Sequence, residues 1–137
     1  MKRIILLIVV MCSIATMVYF SSRTADISSQ QSQAILNIIQ GFGINVNSFI
    51  VRKLAHVCIF MIIGFCISMF FGSCLNNIFS TACISFIVSL GLACGDEYLQ
   101  TFIPGRSGNF TDVIIDLHGV IIGLTLYIIT TYIINNN

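Results

Sequence analysis

Residues 54–75 read LAHVCIFMIIGFCISMFFGSCL, and apart from His56 near the start the only titratable groups in this run are cysteine thiols. As a helix rising 1.5 Å per residue it is long enough to cross about 30 Å of hydrocarbon. Three further runs have the same character: Ile4–Phe20, Ile78–Cys94 and Val113–Ile134. Extended to their expected helix ends, the spans are about 4–22, 54–75, 78–99 and 112–134, each close to the roughly 17–25 residues a crossing needs. Composition agrees. Charged residues are 8% of the chain, hydrophobic residues 57%, and the mean hydropathy is +1.00. A water-facing surface calls for about 25% charged residues, so lipid must be the main solvent. The sequence predicts an all-α integral membrane protein with four transmembrane helices, forming a single membrane domain over residues 1–137. A net charge of +1 and the lack of a basic stripe exclude nucleic-acid binding.

The segments between the runs are less uniform. Ser21–Gln33 is rich in Ser and Gln and reads as a loop. Within Ala34–Ile50, Ile35, Leu36, Ile39 and Phe42 fall at helical spacing before Gly41 and Gly43 interrupt, which predicts an interfacial or re-entrant helix between the first two spans. Lys2 and Arg3 before the first run give it the look of a signal peptide. The run continues past Ser13-Ile14-Ala15 without a polar break, and Met11 before Cys12 spoils a lipoprotein-type cleavage site, so a retained signal anchor is expected. Cys12, Cys58, Cys66, Cys74, Cys83 and Cys94 form no CxxC pair and are expected as small thiols packed between helices. Gly91–Gly95 and Gly119–Gly123 are both GxxxG, expected to bring the third and fourth spans close together in ordinary packing.

The charges follow a simple count. The loop before the second span and the loop after the third are separated by two crossings and must share one membrane face. Arg23, Asp26, Arg52, Lys53, Asp96, Glu97, Arg106, Asp112 and Asp116 belong to these loops or the adjoining helix ends, and only Lys2 and Arg3 lie opposite. Arg52 with His56, Asp96 with Gln100, and Asp112 with Asp116 are each one helical turn apart. Ionisable groups below the interface cost up to roughly 3 kcal/mol and turn into the bundle. A polar pocket is therefore expected, with Arg52, Lys53 and Arg106 set against Asp96, Glu97, Asp112 and Asp116. A plain positive-inside count favours placing this face in the cytoplasm. The signal-anchor look of the first span, and the use of those bases by the cluster, favour a cytoplasmic N-terminus with the cluster at the extracellular face of the cell membrane.

Val51-Arg52-Lys53-Leu54-Ala55-His56 resembles one signature of the VanZ-like membrane proteins. Asp96-Glu97-Tyr98-Leu99-Gln100-Thr101-Phe102-Ile103-Pro104-Gly105-Arg106 resembles a second, and Asp112, Asp116, Gly119 and Gly123 a third. Ser28-Ser29-Gln30-Gln31-Ser32 is similar to the family's polar first loop, so the resemblance runs from about residue 20 to residue 125. There are two departures. Val57, Ile59 and Phe60 stand where relatives often carry an aromatic, a Glu and a Tyr, and Asp116 stands where many have Asn. The resemblance implies a cell-envelope protein of Gram-positive bacteria associated with resistance to the glycopeptide antibiotic teicoplanin, with no settled biochemical activity.

Three readings of the pocket follow. In the first it binds the headgroup of an envelope lipid or lipid-linked precursor. The ligand-binding set is then Arg52, Lys53, His56, Asp96, Glu97, Gln100, Arg106, Asp112 and Asp116, with the two arginines gripping phosphate or carboxylate in bidentate fashion. In the second it is a membrane-embedded hydrolase or transferase for an amphiphile, with His56, Asp96, Glu97, Asp112 and Asp116 as acid–base candidates. No nucleophile elbow, HExxH or aspartate-rich motif accompanies them. In the third the charges only lock helices together. No cofactor is expected. Metal binding ranks last, because His56 and His118 share no ligand spacing on one element with the carboxylates. The partners expected are the bilayer and an envelope lipid, with homo-oligomerisation left open.

Overall fold

A computed structural model describes residues 1–43 and 46–136, and among them the chain is all helix: α1 (Lys2–Ser21), α2 (Ala25–Gly41), α3 (Ser48–Gly72), α4 (Ile78–Gln100) and α5 (Phe110–Asn136). Helices α1, α3, α4 and α5 are long and apolar enough to cross a membrane. Asparagines precede three of them, Asn109 before α5 accepting from the Thr111 amide. The Asn47 side chain accepts from the Phe49 amide, and the Asn77 side chain accepts from the Phe79 and Ser80 amides, satisfying donors that a helix N-terminus leaves free. Because α3 begins at Ser48, Arg52, Lys53 and His56 lie within its first turns rather than ahead of it.

The polar stretch after α1 is not a loop. Helix α2 runs through the Ser- and Gln-rich residues and ends at Gly41, and its buried residues are Ser28, Ser32 and Leu36, spaced one turn apart. Small hydroxyls make this face. Ser32 Oγ returns its proton to the Ser28 carbonyl at 2.9 Å, which lets a polar side chain pack without an outside partner. Residues 44 and 45 of the expected interfacial segment, and residue 137, lie outside the described residues.

The bundle is apolar outside, and inside it mixes an apolar core with small and polar residues. Ile62, Ile87, Ile121 and Ile129 are exposed, whereas Thr81, Ser85, Ser89, Asp96 and Asp116 are fully buried beside Phe60, Ile63 and Val120. This suits a solvent of lipid tails, in which apolar side chains gain little by turning inward and close packing of small residues holds helices together. The expected burial of the cysteines fails for the same reason. Cys66 is half-buried and the other five are exposed, and all six are free thiols.

Glycines join α5 to α3, not to α4. A methyl on Gly119 would strike the Val57 carbonyl and come within 3.0 Å of the Met61 nitrogen. One on Gly123 would strike the Met61 carbonyl, and one on Gly64 would lie 2.9 Å from the Val120 oxygen. The backbones of α3 and α5 therefore touch along this seam. Gly91 and Gly95, with the same spacing, face open space. Contacts at the two ends of the bundle agree with the sidedness count. Arg3 Nε donates to the Ser73 carbonyl at one end, and the Ala25 amide donates to the Pro104 carbonyl at 3.4 Å at the other.

Candidate functional site

Three helices contribute to a buried centre near the loop end. His56 Nδ1 of α3 lies 3.3 Å from Asp116 Oδ1 of α5 and 4.0 Å from Asp96 Oδ2 of α4. Asp96 and Asp116 are about 1% and 0% exposed. Asp96 Oδ2 accepts from Gln100 Nε2 at 2.9 Å, one turn along the same helix. Asp96 Oδ1 and Asp116 Oδ2 are buried with no hydrogen-bond partner, and Asp116 Oδ1 meets only the His56 ring. Such atoms are costly, since an unpartnered buried acceptor forfeits its hydration without return.

The remaining sequence candidates divide by neighbour. Lys53 pairs with Asp112 at the rim, both partly exposed. Glu97 turns away from the centre: Oε2 accepts the Asn109 amide at 2.9 Å and Oε1 accepts Gln100 Nε2 at 3.2 Å. It thereby fastens the 101–109 loop to α4 just where α5 begins. Gly108 passes so close that a methyl there would lie 2.5 Å from the Glu97 carbonyl oxygen, and Gly105 adopts φ +76, open to glycine at little cost. Among the described residues Arg52 and Arg106 make no ion pair. Burial, with the like charge of Arg52 next in weight, lowers the Arg106 pKa from its ordinary value, against the pull of Asp96 and Glu97. It remains a guanidinium at neutral pH. His118 faces outward, its Nδ1 2.7 Å from the Ile114 carbonyl.

Arg52, His56 and Arg106 also stand between two cavities. One, of about 310 Å³, is mainly apolar and runs between α1, α2 and α3, past Met17, Ile35 and Phe60. The other, of about 390 Å³, is polar and opens among Lys53, Gln100, Asn109 and Asp112. All three residues line both. Ser28, Gln31 and Ser32 of α2 add a polar edge to the apolar cavity, a role hidden while that segment reads as a loop.

A protein-family model described as VanZ/LLP1 matches residues 4–131, nearly the whole chain. No curated protein and no solved structure matches. This chain is a multi-pass membrane protein that belongs to the VanZ/LLP1 family.

Proposed function

We propose that this protein binds an amphiphile of the cell envelope, a lipid or lipid-linked precursor, with its headgroup in the polar cavity and its chain in the apolar one. The observation that carries this reading is the shared wall. Arg52, His56 and Arg106 reach both cavities, so a ligand with a charged head and an apolar tail is the chemistry that uses both at once. Two guanidiniums without an ion-pair partner favour an anionic head, a phosphate or carboxylate, which Arg holds by paired hydrogen bonds. Lys53 and Asp112 lie at the mouth of the polar cavity. On this reading the N-terminus is cytoplasmic and the site faces outward, where occupancy of an envelope precursor keeps a lipophilic glycopeptide such as teicoplanin from its target.

A second reading has one observation in its favour. With Asp112 paired to Lys53 and Glu97 engaged by the loop, His56, Asp96 and Asp116 remain as a buried group of acid–base type beside the polar cavity. A hydrolase or transferase acting on the same amphiphile would use it.

The test is a drug-susceptibility series in a Gram-positive host expressing wild type, Arg52→Ala, Arg106→Ala, Asp96→Asn or Asp112→Asn, with membrane levels matched by blot. Wild type is expected to raise tolerance to teicoplanin more than to vancomycin, and both arginine variants to lose the gain. Unchanged tolerance in the arginine variants at equal abundance would sink the binding reading.

A further inference from the structure

We infer that His56, Asp96 and Asp116 form a binding site for one divalent cation of the Mn²⁺ or Zn²⁺ class. Each residue offers one ligand atom, and these atoms all lie within 4.8 Å of one another. An ion held at about 2.0–2.2 Å sets its ligands roughly 3.4 Å apart in tetrahedral geometry. The His56 nitrogen is 3.3 Å from Asp116 Oδ1 and 4.0 Å from Asp96 Oδ2, so small side-chain rotations bring the set to that spacing.

The second observation is independent of the clustering. Asp96 Oδ1 and Asp116 Oδ2 are buried with no hydrogen-bond partner, and Asp116 Oδ1 has only the His56 ring, at 3.3 Å. Among the described residues no Arg or Lys nitrogen lies within ion-pair distance of either carboxylate. Two carboxylates buried with one imidazole and no ion-paired Arg or Lys make a donor set that a cation would complete. A divalent cation supplies the missing partner for those oxygens. One imidazole with two carboxylates suits an ion that accepts both nitrogen and hard oxygen, which favours Mn²⁺ or Zn²⁺ over Ca²⁺. Gln100 is placed as an orienting partner, donating to Asp96 Oδ2. Three protein ligands leave a position open. Of the three, His56 lines the polar cavity together with Gln100, so the site borders that cavity.

Cation uptake needs no amphiphile, so this inference stands or falls apart from the proposed function. The full chain, purified in detergent and stripped with EDTA, would be dialysed against Mn²⁺ or Zn²⁺ and its metal content measured per chain. One equivalent is expected, with a raised melting temperature. His56→Ala, Asp96→Ala and Asp116→Ala should each weaken binding by more than about tenfold, a loss at least as large as removing an orienting partner. Asp26→Ala, an exposed carboxylate on α2, should bind as wild type does. Wild type taking up no more metal than empty micelles, or all three site variants binding normally, would overturn the site. Should the variants not fold, electron spin-echo spectra of Mn²⁺ on wild type decide: coupling to one imidazole nitrogen supports the site, and its absence refutes it.

Discussion

The chain carries two glycine pairs of identical spacing, and the structure puts them to opposite uses. Gly119 and Gly123 let α5 lie backbone to backbone on α3, while Gly91 and Gly95 touch nothing within 4 Å. Their local sequences give little to tell them apart, since each is a GxxxG within an apolar run. The difference comes from their neighbours. Asp116, one turn before Gly119, must reach His56 across the α3–α5 seam, and only a close approach of the two backbones brings a short side chain that far. Asp96 comes from α4 with Gln100 as its support, and that contact needs no glycine. Close packing in this bundle is concentrated where the buried centre demands it.

Methyl groups added in three variants test that contrast. The double substitution Gly119→Ala with Gly123→Ala should have the largest effect, because both methyls strike α3 backbone that cannot rotate away. A destabilisation of about 3 kcal/mol or more is expected, read as a lowered melting temperature in detergent, since overpacking typically costs about 1–3 kcal/mol per site. Wild-type stability in this variant would break the comparison outright. Gly108→Ala should come next, at about 1–2 kcal/mol. Its methyl meets the Glu97 carbonyl and the Thr101 methyl, so the loop must shift and the Asn109 amide should lose its protection from hydrogen exchange. Retained protection at that amide would show that the loop yields without releasing Glu97. Gly91→Ala with Gly95→Ala should change stability by no more than about 0.5 kcal/mol, as for substitutions away from packing features. A large loss there would mean that this face meets another protein, a second copy included, and would sharpen the contrast into one between internal and external packing.

The four crossings are legible in the sequence because lipid leaves the backbone few choices, and any apolar run of sufficient length must become a helix. Helix α2 is not legible in the same way. Its buried residues are mostly serines, and hydrophobic periodicity has no means of marking a face made of small hydroxyls. The gathering of charge at one face follows from counting crossings, yet the pairing inside the cluster does not. Reading by charge sets Arg52, Lys53 and Arg106 against the carboxylates, and among the described residues only Lys53 is so paired, with Asp112. The geometry gives Asp116 and Asp96 to His56, and Glu97 to a backbone amide twelve residues away. The metal-like arrangement escapes any motif search, because each of its residues comes from a different helix and no spacing along the chain records it.

The glycine seam also bears on how the molecule is made. If the helices enter the bilayer in chain order, α3 and α4 stand there, with His56 and Asp96, before α5 joins them. Until then the strip of α3 from Val57 to Phe65 has no partner, and the two residues face each other without Asp116. Arrival of the last helix closes the seam and completes the centre in one step. A molecule whose α5 has not docked is thus one whose α3 presents a bare strip to lipid.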